Sequence, residues 1–184
     1  MRESIKPGEP ATTSRSRDHL ATEQSHQYLT FTLGNELFAI GILAIKEIIE
    51  YSHLTRVPMM PDYLRGVINL RGAVVPVVDL PVRFGREASS VTKRTCVVII
   101  EILLNNGERQ DVGIVVDSVD SVIDIPAGDI EPPPAFGTKI TADFIRGMGK
   151  LNGRFVILLE VSFVLGVEEM ALLQESTQPA EHAA

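Results

Sequence analysis

The sequence predicts an all-β protein built from two similar lobes in tandem. Short apolar or alternating segments follow one another, separated by turn sequences such as GNE at residues 34–36 and NNG at residues 105–107. A stretch of the first half also recurs in the second half. Many short strands in two copies of one pattern favour a pair of small barrels or sandwiches.

The composition changes at both ends of the chain. Residues 1–26 are rich in Ser, Thr, Pro and charged residues and poor in large apolar ones. They cannot bury enough surface to offset the entropy lost on ordering, so we expect a disordered tail there and another at 176–184. Apolar residues at helical spacing before that last tail predict a C-terminal helix at about 166–175 that docks on a lobe.

The internal repeat defines the expected lobes. Residues 63–80 align without a gap with residues 144–161, and an aromatic residue, an Arg-Gly pair, a Leu, a Gly, an apolar strand and an acid recur in both. The first lobe then covers about residues 27–88 and the second about 93–165. Because a lobe of roughly 60 residues is only marginally stable alone, we expect the two to share a buried interface. Short helices would connect the strands.

Residues that recur in both copies are expected to build the lobe itself. Gly66 corresponds to Gly147, which is typical of a backbone position that needs a positive φ or a close approach. Arg65 likewise corresponds to Arg146. We interpret these four residues as structural.

Residues that differ between the copies are candidates for function. Arg71 corresponds to Asn152, and an Asn-Gly pair is what a tight turn favours. A guanidinium in that turn is free to project outward and offer bidentate hydrogen bonds. A weaker match pairs residues 39–50 with residues 113–124; in it Glu47 lies opposite Ser121 and is likewise specific to the first copy. Solvated surface side chains remain the alternative for both.

Composition and spacing exclude several classes of function. The formal charge of −7 and the lack of a basic tract disfavour binding to nucleic acid or to an anionic membrane. The single cysteine, Cys96, lies in an apolar run and fits a small buried residue, not a metal site. No secretory signal and no apolar stretch of about 20 residues is present, so we expect a cytoplasmic chain without membrane insertion.

No catalytic constellation is visible in the sequence. A P-loop, a GxGxxG motif and a GxSxG elbow are all missing, and the histidines stand alone or lie in the tails. Asp79 and Glu160 are repeat equivalents, so we place one in each lobe instead of pairing them as acid and base. We therefore expect a non-catalytic binding protein without cofactor or metal.

Several motifs, in the same order, resemble the CheW family of bacterial chemotaxis adaptors. The resemblance covers about residues 27–175, nearly all of the chain expected to be ordered. The matching motifs are YLTFTLG at 28–34, FAIGI at 38–42, IKEII at 45–49, GVINLRG at 66–72, VVPVVDL at 74–80, VGIVVD at 112–117 and PPP at 132–134.

This resemblance implies two SH3-like five-stranded barrels packed on each other. It also implies an adaptor that couples the cytoplasmic tip of methyl-accepting chemoreceptors to the regulatory domain of the histidine kinase CheA, in arrays beneath the inner membrane. The receptor tip would bind in the groove between the lobes. The family's receptor-binding positions correspond here to Ile45, Glu47, Gly66, Asn69 and Arg71.

For the kinase, the resemblance indicates apolar residues of the first lobe, and we choose Ile49, Tyr51 and Leu54. The same domain occurs in CheA and in CheV, but this chain has no room for a kinase core or a receiver domain, so we expect a free-standing adaptor. Two other classes stay open: an oligonucleotide-binding barrel, and a hydrolase or ligand carrier with a deep pocket and a shifted titratable group. The role of the N-terminal tail is open.

Overall fold

The computed structural model describes residues 25–134 and 142–166, and this part of the chain is mostly β-structure. Its strands are β1 (Ser25–Leu33), β2 (Glu36–Gly41), β3 (Ile45–Glu50), β4 (Leu64–Leu70), β5 (Ala73–Asp79), β6 (Cys96–Leu103), β7 (Arg109–Val116), β8 (Ser118–Pro126), β9 (Ile130–Glu131), β10 (Ile145–Leu151) and β11 (Arg154–Leu159). Short helices connect them: α1 (Leu80–Arg83) and the 3₁₀ helices Ile42–Ala44, Ala127–Asp129, Ala142–Phe144 and Val161–Phe163.

The ends of the described chain differ in part from the sequence prediction. Ser25 and His26, which we assigned to the tail, form the start of β1 because they pair with Pro126 and Ile125 of β8. The rest of the N-terminal tail, the C-terminal tail and, beyond Gly166, the predicted C-terminal helix at 166–175 lie outside the described residues.

The strands form two sheets, which we call barrel 1 and barrel 2. Barrel 1 has five strands in the order β3-β6-β7-β5-β4, and barrel 2 has six in the order β8-β1-β2-β11-β10-β9. In barrel 2 the two edge strands follow each other in sequence and are joined only by Ala127–Asp129. Two edges that are joined by three residues must meet, so the sheet curls into a barrel.

Barrel 1 closes in an equivalent way. After edge strand β3 the chain passes to the opposite edge, where Thr55 exchanges backbone hydrogen bonds of 2.8 and 3.0 Å with Val67 of β4. Closure matters because it leaves few unpaired edge groups for unwanted association. The prediction of two SH3-like barrels is confirmed.

The barrels do not coincide with the contiguous lobes expected at 27–88 and 93–165. The β1–β2 hairpin belongs to barrel 2, where β2 runs parallel to β11, and the β6–β7 hairpin belongs to barrel 1, where β7 runs parallel to β5. Each half of the chain therefore contributes a hairpin to the barrel of the other half. The strong, gapless part of the repeat covers only the equivalent hairpins β4–β5 and β10–β11, so it carries no information about which barrel the flanking strands join.

Three apolar clusters fill the described structure. The interior of barrel 1 holds Ile68, Val75, Val77, Val97, Ile99 and Val115. The interior of barrel 2 holds Tyr28, Ala39, Ile125, Val156 and Leu158. The largest cluster, which we call the interface core, takes side chains from both barrels and includes the stacked rings of Phe31 and Phe38, with centroids 6.1 Å apart.

The central strands are apolar on both faces because each face meets a different cluster. Along β6, Val97 and Ile99 point into barrel 1, whereas Val98 and Ile100 point into the interface core. This arrangement explains why residues 96–103 are almost continuously apolar instead of alternating. The expected buried interface between the two lobes is confirmed as an interface between the two barrels.

We expect Phe38→Ala to lower the free energy of unfolding by about 3–5 kcal/mol, since it leaves a cavity in the interface core. Phe155→Ala serves as the matched control, because the Phe155 ring is 55% exposed. It should change the free energy of unfolding by less than about 1 kcal/mol. Urea denaturation should show one transition for both barrels, because they share this core. Separate transitions for the two barrels, or equal losses in the two variants, would contradict the assignment.

Candidate functional site

The turn between β4 and β5 has an unusual residue for its backbone shape. Arg71 and Gly72 have φ values of 53° and 86°, and the equivalent Asn152 and Gly153 of barrel 2 have 49° and 77°. Turns with two positive φ values favour Asn-Gly, whereas arginine rarely adopts the left-handed region. Barrel 1 therefore keeps an arginine at a position where its backbone is disfavoured, which points to a role for its side chain.

The Arg71 guanidinium is oriented by Glu47. Its two terminal nitrogens donate to Oε1 and Oε2 of Glu47 at 2.9 and 3.0 Å. The Arg71 side chain remains 78% exposed, while that of Glu47 is 25% exposed. Such an exposed pair adds little to stability, but its fork geometry fixes the direction of the guanidinium. The remaining donor face of Arg71 is open to a partner.

Asn69 supports the same turn from β4. Its Oδ1 accepts a hydrogen bond of 2.9 Å from the backbone N–H of Gly72, so the turn is held by a side chain as well as by its ladder. Three of the five predicted receptor-binding residues, Glu47, Asn69 and Arg71, therefore lie together at one end of the β4–β5 hairpin.

Ile45 opens β3, two residues before Glu47. A β-bulge separates the two, and Ile45 packs against the interface core. Next to it, Leu43 is fully exposed, and Ile42–Ala44 line a cleft of about 300 Å³ on the side of barrel 2. Sequence reasoning missed Leu43; the available signal was a large apolar residue in a connection, directly after Gly41.

Gly66 lies in the wall of barrel 1, not on its surface. It is buried with φ 152°, and a Cβ there would be 2.5 Å from the backbone oxygen of Thr55. The equivalent Gly147 of barrel 2 is packed in the same way, with a Cβ position 3.0 Å from the oxygen of Glu131. Gly66 therefore allows the crossing that closes the barrel, and any contribution to binding acts through the backbone.

The predicted kinase-binding residues lie at the end of β3, which holds Ile49, and on the segment that follows it, which holds Tyr51 and Leu54. Ile49, Tyr51 and Leu54 are partly buried and pack against the interior cluster of barrel 1. On the same segment Met59 is fully exposed and has a φ of 61°. Sequence reasoning missed Met59 as a surface residue, although Pro58 and Pro61 mark the turn that projects it.

Charges on the sheet beside this site are compensated. Glu101 and Asp111 lie directly opposite each other on β6 and β7, and Nζ of Lys46 bridges them at 3.0 and 2.8 Å. Hydrogen bonds from Lys46 and then from Arg109 hold the pKa of Glu101 below its usual range, while Asp111 and then Glu101 raise the pKa of Lys46. Both shifts favour the charged forms that Glu101 and Lys46 have at neutral pH, which is typical of a solvated ion-pair network.

The carboxylates at the ends of β5 and β11 have structural surroundings. Asp79 is completely buried and accepts hydrogen bonds from Nε of Arg65 at 2.8 Å and from the backbone N–H of Ser89 at 3.1 Å. Glu160 follows β11 in the other barrel, as expected from the repeat. The residues described here include no cluster of three potential metal ligands. Within 25–134 and 142–166, no helix is long and apolar enough to cross a bilayer.

Two closed barrels that carry an oriented guanidinium and isolated exposed apolar side chains define a protein-binding module. Comparison with known proteins identifies its class. The protein-family model of the CheW-like domain matches residues 27–169 of this sequence. A chemotaxis protein CheW of Klebsiella aerogenes is 42% identical over 147 residues, 80% of this chain and 86% of that protein. One of Rhizobium meliloti is 32% identical over 148 residues, 80% of this chain and 92% of that protein.

A solved structure shares the fold. The scaffolding protein TtCheW of Thermoanaerobacter tengcongensis superposes with a TM-score of 0.72 at 33% identity, covering 83% of this chain and 96% of that one. The chain therefore belongs to the CheW-like family, and it is a chemotaxis scaffold. The resemblance inferred from the sequence motifs is confirmed, whereas the individual site residues stay predictions.

We expect Gly66→Ala to lower the free energy of unfolding by about 3 kcal/mol, because the added Cβ overlaps the Thr55 oxygen. Gly128→Ala is the control: it adds a Cβ into open space and should change stability by less than about 0.5 kcal/mol. Thermal or urea unfolding measures the stability of both variants. A Gly66→Ala protein that is as stable as wild type, yet binds receptor poorly, would show that Gly66 acts at the surface after all.

Proposed function

We propose that this chain couples methyl-accepting chemoreceptors to a CheA-type histidine kinase, and that it does so without catalysis. It acts in the cytoplasm, recruited to receptor arrays beneath the inner membrane, and it binds neither nucleic acid nor the membrane directly. The oriented Arg71–Glu47 pair is the observation that carries the proposal. It supports a surface built to recognise another protein, and it occurs only in barrel 1.

The receptor tip binds where polar and apolar features adjoin. Leu43 and Ile45 offer apolar surface beside the 300 Å³ cleft, and Glu47 with Arg71 offers a fixed polar group further along β3. An amphipathic helical hairpin fits such a surface, since its apolar stripe enters a groove while its polar flank meets a charged edge. Asn69 contributes by holding the turn that carries Arg71.

The kinase regulatory domain binds at a different part of barrel 1, the segment that follows β3. Met59 is fully exposed on this segment, and Tyr51 and Leu54 of the same segment are partly buried on the interior cluster. Methionine is flexible and polarizable, so it adapts to an apolar partner surface. A barrel of similar fold could pack end-on against this segment and cover Met59.

Both partners would bind one rigid body. The two proposed surfaces lie on barrel 1, and barrel 1 is fixed to barrel 2 by the interface core. A packed core transmits a displacement instead of absorbing it. The scaffold can therefore position the kinase against the receptor while undergoing no chemical change itself.

We expect Arg71→Asp to weaken receptor-tip binding by roughly 10- to 100-fold, the loss that corresponds to charge-assisted hydrogen bonds of about 1.5–3 kcal/mol. Asn152→Asp is the matched control: it places the same residue in the equivalent turn of barrel 2 and should leave affinity unchanged. Isothermal titration with a soluble receptor fragment measures both. Kinase binding should be unaffected, and circular dichroism should report a wild-type fold.

A double charge exchange, Glu47→Arg with Arg71→Glu, separates recognition from local structure. It restores an ion pair at the turn, so it repairs any defect that comes from losing the pair. If the receptor reads the guanidinium itself, binding stays weak in the double variant. Wild-type affinity in a folded Arg71→Asp protein would overturn the assignment of the receptor site.

A further inference from the structure

A second and larger cleft, of about 530 Å³, lies between the barrels away from Arg71. Its apolar lining consists of the buried Leu33 and Phe38 of barrel 2, the partly buried Pro81 of α1 and the buried Phe84 that follows α1. Strand β5 separates it from the β4–β5 turn, a distance of roughly 20 Å for a strand of that length. The proposed receptor and kinase surfaces use none of these residues.

Asp117 lies at one side of this cleft, in the link between β7 and β8. Two hydrogen bonds fix its position. Its backbone N–H donates to the backbone oxygen of Thr32 at 3.0 Å, and its Oδ2 accepts from the backbone N–H of Gly34 at 2.6 Å. The other carboxylate oxygen, Oδ1, is buried and has no hydrogen-bond partner within the described residues. A buried acceptor without a donor is costly, so this oxygen favours a ligand that brings one.

The arginine that lines the cleft is already engaged. Nη1 and Nη2 of Arg86 donate to the carboxylate of Glu36, at 2.5 and 3.5 Å. Glu87 adds a second acidic side chain to the lining. The cleft therefore combines an apolar floor with an unsatisfied negative acceptor. A lysine or arginine side chain has the complementary form, an aliphatic stem that ends in a cationic donor.

We propose that this cleft is a docking site for a lysine or arginine side chain presented by a partner protein. The stem lies on Pro81 and the edge of Phe84. The cationic head donates to Oδ1 of Asp117 once the carboxylate, which is buried in the free chain, turns toward the cleft. A free amino acid fits less well, because its α-carboxylate would approach Asp117 and Glu87 while Arg86 is held by Glu36. The site goes beyond the proposed coupling function and would give the scaffold a further protein contact, at the other end of β5 from Arg71.

The test uses the full ¹⁵N-labelled chain and nuclear magnetic resonance. Three capped tripeptides, acetyl-Gly-Xaa-Gly-amide with Lys, Arg or norleucine as Xaa, are titrated separately, and free arginine forms a fourth arm. The Gly34 amide is the reporter, since it hydrogen-bonds to Asp117. We expect saturable shifts of Gly34 and Ser89 with the Lys or Arg peptide, and at least tenfold weaker effects with norleucine and with free arginine.

Variants assign the effect to one carboxylate. Asp117→Asn keeps the shape and should weaken peptide binding at least tenfold. Asp120→Asn is the control, because Asp120 lies three residues further on in β8, accepts from Thr32 Oγ1 at 3.0 Å and does not line the cleft. The Asp120→Asn variant should bind the peptide as wild type does. Absence of a saturable Gly34 shift, equal binding of norleucine, or unchanged binding in Asp117→Asn would overturn the site. If free arginine bound more tightly than the Arg tripeptide, the proposal that a partner protein supplies the side chain would be wrong. The comparison of the Lys, Arg and norleucine peptides on the wild-type chain tests the site even if a variant folds poorly.

Discussion

The interface core between the two barrels is the constraint on which the other features depend. Each barrel is small and has its own interior cluster, but the largest apolar cluster belongs to neither barrel alone. Strands such as β6 must therefore be apolar on both faces, and the chain must exchange hairpins between the barrels to bring those faces together. The 530 Å³ cleft between the barrels, and the rigid relation between the proposed binding surfaces, follow from this shared packing.

The β4–β5 turn shows how neighbouring side chains can hold a residue against its local backbone preference. A left-handed arginine is disfavoured, yet Asn69 holds the turn and Glu47 holds the side chain, so the conformation is determined by its neighbours. Barrel 2 has the same backbone with Asn152 and Gly153, the pair that a turn of this shape favours. Strain that is supported in this way is typical of positions retained for recognition.

Much of the fold could be predicted from the sequence, because turns, apolar runs and the repeat are local signals. The repeat also separated Arg71 and Glu47 from the structural Gly66 and Gly147, and the structure joins the first two in one ion pair. The strand exchange between barrels could not be predicted, since pairing of β2 with β11 and of β5 with β7 joins segments far apart in sequence. The exposure of Leu43 and Met59 depends on how the exchanged strands pack, so it could not be predicted either. The same holds for the lack of a hydrogen-bond partner at Oδ1 of Asp117.

The most direct test of the account is reconstitution of the three components. Phosphorylation of a CheA-type kinase is followed with the receptor alone, with this chain alone, and with both, at fixed kinase concentration. A scaffold that positions kinase against receptor raises the rate only when all three are present, and the three proteins sediment together. Equal phosphorylation with and without this chain in the presence of receptor, or a rise that needs no receptor, would contradict the coupling of the two partners through one rigid two-barrel body.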